Sequence, residues 1–153
     1  MKPITIIGSY NVGLFLRGDR LPTRGETVIG EEFYEGGGGK GSNQAVAASR
    51  LGAPVRFIGR IGFDKYGQDA LMMYKRLGID VGTLQVDPTI HTGISVILID
   101  QAGHNLISVV LGANARLSPA DIDASESALR SEEHTSELQS HSDLVCRLLL
   151  EKK

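Results

Sequence analysis

The sequence predicts an α/β fold, in which buried strands alternate with helices and a smaller sheet is inserted between them. Short apolar runs at 4–8 and 55–61 are typical of strands buried on both faces. Helical patterns at 43–51 and 66–77 each end directly before a glycine, the usual residue just past a helix C-terminus. Segments with alternating apolar and polar residues interrupt this series and predict half-buried strands.

The two helices end in a way that favours a parallel sheet. Both finish on the residues Arg-Leu-Gly, at Gly52 and at Gly78, which suggests successive strand–helix units of one sheet. A third helix is predicted to begin with Ser118 as its N-cap and Pro119 as its first residue. A serine oxygen can accept a free backbone N–H there, and proline fits the first turn.

Four further segments predict a second sheet with antiparallel strands. They are 14–17, 27–35, 92–99 and 106–111. The last two are joined by 100–105, a stretch rich in turn-forming residues, which predicts a hairpin.

The glycine run before the first helix is the most informative motif in the chain. Four glycines at 36–39 are followed by Lys40, Gly41 and Asn43. Because glycine has no Cβ, such a backbone can approach a bound molecule closely and adopt positive φ. The run therefore predicts a loop that presents main-chain N–H groups, a cation and an amide to a polar ligand at a helix N-terminus.

Two common phosphate-binding patterns fit this run poorly. The Walker A pattern requires glycine at position 34 and serine or threonine at 41, where the chain has Tyr34 and Gly41. The dinucleotide pattern is met by Gly36, Gly38 and Gly41, but any glycine run meets it. The preceding segment 31–35 is charged, unlike the buried first strand of a dinucleotide-binding fold. A dinucleotide-binding domain therefore stays the weaker alternative.

Motifs spread over residues 1–129 occur in the order of a known family. They are 6–11, 21–28, the glycine run, 61–67, 91–93 and 112–119. Together they resemble the ribokinase (PfkB-type) family of carbohydrate kinases. The resemblance implies a ribokinase-like three-layer fold, incomplete here, in which the small antiparallel sheet forms a lid over a sugar.

The resemblance also implies that two lids often pair in a homodimer. One lid face would then be apolar for its partner or ligand, although a hairpin packed on its own core explains the same alternation. The residues expected on that face are Ile94, Val96, Leu98, Leu106 and Ile107.

Several substrate-binding residues follow from the resemblance, at positions that suit sugar hydroxyls. Asn11 follows the first strand, where open α/β sheets bind ligands, and it is expected to bind hydroxyls rather than only form a turn. Gly38, Gly39 and Gly41 would bring the backbone against the sugar. Lys40 would add a charge-assisted bond, unless it is simply solvated. Asn43 would bind the sugar, cap the helix or do both.

Two lid residues complete the expected sugar site, and one position of that site differs from the family pattern. Ile97 and Val109 could cover the apolar face of the ring, although core packing is the commoner role of such residues. The family usually has an aspartate where this chain has Gly13, and that aspartate holds two adjacent hydroxyls. Its loss should alter the choice of sugar, so D-ribose is only the leading expectation.

The sequence contains no expected catalytic residue. Phosphoryl transfer needs a base and an anion hole, which the family supplies from a Gly-Ala-Gly-Asp segment that is absent here. Asp64 is expected to cap a helix and Asp69 to lie within it, and no metal-ligand cluster is evident. ATP and Mg²⁺, with a monovalent cation as a further candidate, would be cofactors of the full-length protein.

Residues 130–153 form a tail that continues no family pattern. The stretch 130–139 looks like one reading frame of a DNA-sequencing adapter, and 144–153 looks like its far end running into poly-A. An amphipathic helix would explain the spacing of the leucines but not this match. We therefore expect residues 1–129 to be the genuine N-terminal part of the kinase domain and 130–153 to be non-native.

Composition excludes several other classes of function. The chain of 153 residues has a net charge of −2, and residues 1–129 carry 12 basic and 13 acidic residues, so neither nucleic acid nor an anionic membrane is expected as a partner. The single cysteine, Cys146, lies in the tail. The N-terminal apolar run is too short for a signal peptide, and a cytoplasmic protein is expected.

These observations predict the N-terminal fragment of an ATP-dependent sugar kinase, inactive by itself. The alternative is a non-catalytic sugar-binding module.

Overall fold

The computed structural model describes residues 3–125 and the strand 133–136. The strands are β1 (Ile4–Ile7), β2 (Asn11–Arg17), β3 (Glu32–Gly38), β4 (Val55–Ile58), β5 (Arg60–Gly62), β6 (Gln85–Asp87), β7 (Gly93–Ile99), β8 (Asn105–Val110) and β9 (Glu133–Ser136). The helices are α1 (Lys40–Arg50), α2 (Lys65–Arg76), a 3-10 helix (Gly112–Arg116) and α3 (Pro119–Asp123).

A parallel sheet with the strand order β4-β1-β9 carries the core. Alternate residues of its strands face opposite sides. On one side Ile6 and Phe57 pack with Ala45 of α1 and Tyr74 of α2. On the other side Ile7 and Ile58 pack with Ile122 of α3. Helices on both faces confirm the predicted three-layer α/β fold, of which only part is present.

The helix ends follow the local signals in the sequence. Gly52 and Gly78 adopt φ of 86° and 67° directly after the C-caps of α1 and α2, as predicted. The carboxylate of Asp64 caps α2 by accepting the N–H of Gly67 at 2.8 Å. Ser118 occupies the N-cap of α3 and Pro119 its first position.

The apolar run at 55–61 is two strands rather than the single predicted strand. β4 pairs with β1, whereas β5 pairs with β6 in a separate two-stranded sheet. Gly59 separates them, and a Cβ there would lie 2.7 Å from the carbonyl oxygen of Gly8. The strand β6 was not predicted, because three residues carry too little periodicity to identify a strand.

The lid is a four-stranded sheet with the order β3-β2-β7-β8. Its two hairpins, β2–β3 and β7–β8, are antiparallel as predicted. The central pair β2–β7 is parallel, so the expectation of a wholly antiparallel lid was wrong for that pair. The physical reason is that both strands enter the lid at the same end, since Asn11 and Gly93, their first residues, are paired.

Several boundaries in the lid also differ from the prediction, and β2 begins at Asn11 rather than at the expected residue 14. The glycines at 36–38 belong to β3 instead of a loop, and residues 27–31 lie outside that strand. The pairing of Gly38 with Asn11 and of Gly36 with Gly13 holds this glycine backbone extended. As a consequence α1 begins at Lys40, three residues earlier than expected.

The strand register assigns the lid side chains to two faces, because directly paired residues share a face. The face that we call the Asn11 face also carries Gly13, Phe15, Ile97, Ile107 and Val109. The opposite face carries Ile94, Val96, Leu98 and Leu106, which were expected to lie together. Ile107 pairs with Ile97, so its expected place on that opposite face was wrong.

One strand of the tail lies within the described residues. β9 pairs in parallel with β1, Ile4 opposite Glu133 and Ile7 opposite Ser136. The remaining tail residues, including Cys146, lie outside the described part of the chain. No helix in the described residues is long and apolar enough to cross a membrane.

Candidate functional site

The candidate site lies where the chain passes between the core sheet and the lid. Glycines allow the β1–β2 connection and the start of α1 to contact each other closely. A Cβ on Gly39 would lie 2.4 Å from the carbonyl oxygen of Ser9, and a Cβ on Gly41 would lie 2.8 Å from the Cα of Gly8. Side chains at either position would therefore push the start of α1 away from the connection between β1 and β2.

This close contact places Asn11 beside the glycine run. Asn11 is the first residue of β2, its strand partner is Gly38, and the position of a Gly39 Cβ is 3.0 Å from its backbone nitrogen. Gly39 has a φ of 93°, a conformation that favours glycine. The structure thus brings together Asn11, Gly38, Gly39 and Gly41, which the sequence assigned to one site.

Lys40 and Asn43 occupy the first turn of α1, and both are exposed. Asn43 donates its backbone N–H to the carbonyl oxygen of Gly39 at 2.8 Å. The N-cap position is Gly39 and no side chain caps the helix, so the interpretation of Asn43 as a cap was wrong. The positive end of the helix dipole and the Lys40 ammonium both favour an electron-rich ligand here.

The Asn11 face of the lid adds the other expected residues. Gly13 lies two residues along β2 from Asn11, and Ser95 pairs with both Gly13 and Val109. Val109 keeps 46% of its surface exposed, whereas Ile97 keeps 8%. Val109 is therefore available to a ligand, while Ile97 chiefly packs within the lid.

Phe15 fills the space above Gly13. A Cβ on Gly13 would lie 2.5 Å from Cε2 of the Phe15 ring, and a Cβ on Gly36 would lie 3.5 Å from the same atom. The Phe15 ring stacks on Tyr34 with 4.6 Å between ring centroids and 6° between planes. An aromatic surface therefore stands where a larger residue 13 would project.

Asn114, which sequence reasoning did not assign to the site, contacts Asn11 directly. Its Nδ2 donates to Oδ1 of Asn11 at 2.9 Å and to the carbonyl oxygens of Tyr10 and Leu111 at 2.8 and 3.0 Å. Its Oδ1 accepts the N–H of Tyr10 at 3.1 Å. The available signal was the motif at 112–119, which supported the resemblance without suggesting a role for this side chain.

Asp64 holds the start of β7 in place. Its carboxylate accepts the backbone N–H of Thr92 at 2.8 Å and the Thr92 hydroxyl at 2.7 Å, in addition to the helix cap. Burial opposes ionisation, but the hydrogen bonds from Thr92 and Gly67 outweigh it and hold the pKa of Asp64 below its usual value. This carboxylate is a structural acceptor, in agreement with its predicted capping role.

The described residues hold no group of three His, Cys, Asp or Glu side chains that could bind a metal ion. His104 pairs with Asp100 in the β7–β8 turn at 2.9 Å. His91 lies in the connection between β6 and β7, where its Nδ1 is 2.7 Å from the carbonyl oxygen of Thr92. The site residues described above offer hydrogen-bonding groups and the Lys40 ammonium to a polar ligand.

Comparisons with known proteins show which family and fold the chain is similar to. The family model for pfkB family carbohydrate kinases matches residues 1–150. Ribokinase of Bacillus subtilis (strain 168) is 44% identical over 122 residues, which are 78% of this chain and 41% of that protein. Ribokinase of Giardia lamblia superposes with a TM-score of 0.78 at 34% identity, over 84% of this chain and 38% of the other.

A further solved relative is the Arabidopsis thaliana ribokinase complexed with ribose and ATP. Its TM-score is 0.69 at 29% identity, over 80% of this chain and 41% of the other. The chain therefore spans less than half the length of these relatives.

Proposed function

Because this chain belongs to the pfkB family of carbohydrate kinases, we propose that the full-length protein transfers the γ-phosphoryl group of MgATP to a sugar hydroxyl. D-ribose is the first candidate sugar. The observation that supports this most directly is the meeting of Asn11, the glycine run and the first turn of α1 at the base of the lid. This use of ATP agrees with the expected cytoplasmic location.

Each site residue has a role in this proposal. Asn11 and Asn43 hydrogen-bond sugar hydroxyls, and Lys40 adds a charge-assisted bond. The backbone at Gly38, Gly39 and Gly41 contacts the sugar where any side chain would intrude. Ile97 supports the Asn11 face of the lid and Val109 covers the apolar side of the ring.

The choice among sugars depends on the residue at position 13. A carboxylate there would accept bonds from two hydroxyls, whereas this chain offers Gly13 beneath the Phe15 ring. A site that lacks such an acceptor discriminates less strongly for those hydroxyls. We therefore include 2-deoxyribose and hexoses among the candidate substrates.

The chemical step requires groups outside the described residues. Asp64 is occupied by Thr92 and Gly67, and the described part of the chain has no carboxylate cluster that fits Mg²⁺. We therefore assign the catalytic base and the ATP, Mg²⁺ and monovalent-cation sites to the remainder of the full-length protein. The 153-residue chain is proposed to be inactive.

We also propose that the lid pairs with a second copy in a homodimer. Every residue of the edge strand β8 is exposed, including Leu106, Ile107 and Val110 at 50%, 59% and 54%. An apolar edge strand of this kind is unfavourable in water unless it is covered.

The proposal is tested by assaying the full-length protein with MgATP against ribose, 2-deoxyribose, hexoses and nucleosides. We expect phosphorylation of a free sugar. Phosphorylation of nucleosides alone would overturn the choice of sugar class. Sugar binding without turnover would instead establish a binding module, and nicotinamide-dye binding would establish the dinucleotide alternative.

A further inference from the structure

The Asn114 side chain joins the two ends of the lid. Its amide pairs with both backbone groups of Tyr10, accepting the N–H and donating to the carbonyl oxygen, as a neighbouring strand would. Tyr10 is the last residue before the lid strand β2, and Leu111, which also accepts from Asn114, directly follows β8. One side chain therefore links the place where the chain reaches the lid to the place where it leaves.

The same amide determines which way Asn11 points. Nδ2 of Asn114 can only donate, so it must face an oxygen of Asn11, and it meets Oδ1 at 2.9 Å. The Asn11 amide is thereby turned so that its own Nδ2 group, with two N–H donors, points away from Asn114. Gly93 makes room for this pair, because a Cβ there would lie 2.0 Å from Oδ1 of Asn11 and 2.3 Å from Nδ2 of Asn114.

We propose that Asn114 is a positioning residue for sugar recognition, which orients Asn11 as a hydrogen-bond donor toward a sugar oxygen. This inference rests on the proposed function, because the partner of Asn11 is the sugar. It extends that function by assigning the direction of one hydrogen bond: Asn11 donates and the sugar hydroxyl oxygen accepts.

The test replaces Asn114 by aspartate in the full-length enzyme. Asn114→Asp keeps an oxygen for the Tyr10 N–H but loses both donors, so Asn11 must turn its Nδ2 toward the new carboxylate. We expect the KM for the sugar to rise about tenfold, the loss of roughly one hydrogen bond, while the KM for ATP stays unchanged. Asn105→Asp, an exposed change of the same kind at the start of β8, serves as the matched control.

A double-mutant cycle separates positioning from general damage. If Asn114 acts through Asn11, Asn114→Asp should not raise the sugar KM further in an Asn11→Ala background. An equal rise in both backgrounds would overturn the proposal. Should Asn114→Asp fail to fold, Gly93→Ala crowds the same two side chains and should show the same dependence on Asn11.

A spectroscopic readout keeps the inference separate from the proposed function. In protein labelled with ¹⁵N-asparagine, the Asn11 side-chain NH₂ signal is assigned by its loss in Asn11→Ala. Asn114→Asp should shift this signal downfield, since its protons then face a carboxylate, and Asn105→Asp should not. An unmoved signal would overturn the positioning role, whereas absence of sugar phosphorylation by the wild type would overturn only the proposed function.

Discussion

At position 13 the lid has no space for a side chain while Phe15 keeps its present orientation. The Phe15 ring lies over the Cα atoms of two glycines, Gly13 and Gly36, and stacks on Tyr34. The Phe15 ring can therefore take this place only because residue 13 has no side chain. The sequence shows only that an acceptor is missing at position 13. In the structure the Phe15 ring occupies the space next to Gly13 and forms an aromatic surface on the Asn11 face.

Gly13→Asp in the full-length protein is therefore expected to lower the Tm, because the new Cβ would lie 2.5 Å from the Phe15 ring and displace it from Tyr34. Overpacking of this kind costs about 1–3 kcal/mol. The companion change Phe15→Ala removes the obstructing ring. Gly13→Asp should therefore lower the Tm less in a Phe15→Ala background than in the wild type. Thermal unfolding measures both, and a fully additive pair would contradict the steric explanation.

Asn43→Ala should weaken sugar use more than ATP use. Its exposed side chain is proposed to bind the sugar, so its loss should remove one or two hydrogen bonds, about 1–3 kcal/mol in kcat/KM for the sugar. Steady-state kinetics with each substrate varied in turn provide the measurement. Gln44→Ala, an exposed neighbour on the same helix, is the control. Equal losses for both substrates would mean that Asn43 only supports the helix start.

Among the elements, α2 shows how a helix end is connected to the lid. The Asp64 carboxylate accepts from Gly67 within the helix and from Thr92 at the start of β7. The Thr92 hydroxyl in turn accepts the N–H of Gly62 at 3.0 Å. Strand β5, helix α2 and the segment that leads into lid strand β7 therefore share one hydrogen-bond network, centred on the buried Thr92.

Asp64→Ala should lower the free energy of unfolding of the full-length protein by at least about 2 kcal/mol, the upper end for an N-cap. The two bonds to Thr92 are lost in addition to the cap. Asp69→Ala is the matched control, because Asp69 forms an exposed pair with Lys65 at 2.7 Å on the same helix, worth about 0.3–0.5 kcal/mol. Urea unfolding measures both, and equal effects would show that the Thr92 contact contributes nothing.

A second network connects β6 to the end of the lid and to α3. The Asp87 carboxylate accepts from Thr89, Arg60 and Arg116, and Arg60 also donates to Asp121 at 2.7 Å. The backbone hydrogen bond from Thr89, followed by the Thr89 hydroxyl and Arg116, holds the pKa of Asp87 well below its usual range despite the opposing effect of burial.

This network predicts acid sensitivity. Because the folded-state pKa of Asp87 is lower than the unfolded one, its contribution to stability is present at neutral pH and is lost as the pH falls from about 4 toward the lowered value. Asp87→Asn should reduce the Tm at pH 7 and flatten its decline between about pH 5 and pH 2. The exposed Asp19→Asn is the control, and an unchanged slope in Asp87→Asn would refute this assignment.

For the whole molecule, the described residues bury the core sheet but leave the lid uncovered. Ile6, Phe57 and Ile58 are at most 2% exposed. An exposed edge at β1 would be the simple expectation for a sheet cut after its first units, but β9 occupies that edge. Several of the large exposed apolar side chains lie on the lid, among them Phe33, Leu106, Ile107 and Val110, while others, such as Leu51 and Phe63, lie outside it.

The 153-residue chain expressed by itself should therefore associate through the lid and should show no ATP turnover. Size-exclusion chromatography should find aggregates or dimers, and polar substitution of Leu106 and Val110 together should reduce this association. Thermal unfolding is expected to be broad. A soluble monomer with a sharp transition would show that the chain is self-sufficient, and kinase activity would show that the base lies within it.

The origin of the tail is a separate hypothesis about the whole chain. The family match extends to residue 150, and β9 lies inside the stretch that resembles adapter sequence. Sequencing the gene across the codons for 130–153 tests the hypothesis. Codons that differ from the adapter would refute it, whereas identical codons would establish that residue 129 is followed by foreign sequence.

The sequence by itself determined the features that depend on neighbours along the chain. Helix starts at Asp64 and Ser118 and helix ends at Gly52 and Gly78 are interactions within a few residues, so local residue types specify them. The ordered motifs were sufficient for the family and the three-layer fold. They also assigned Asn11 and the glycine run to one predicted site.

The tertiary structure alone decided the features that join distant segments. Whether β2 and β7 run parallel depends on the end at which each enters the lid, and the face of Ile107 depends on the register with Ile97. Asn114 reaches Asn11 across 103 positions of sequence, a separation at which periodicity carries no information. Backbone hydrogen bonds and close packing between such segments are formed only in the folded chain, and they decide how the proposed sugar site is oriented.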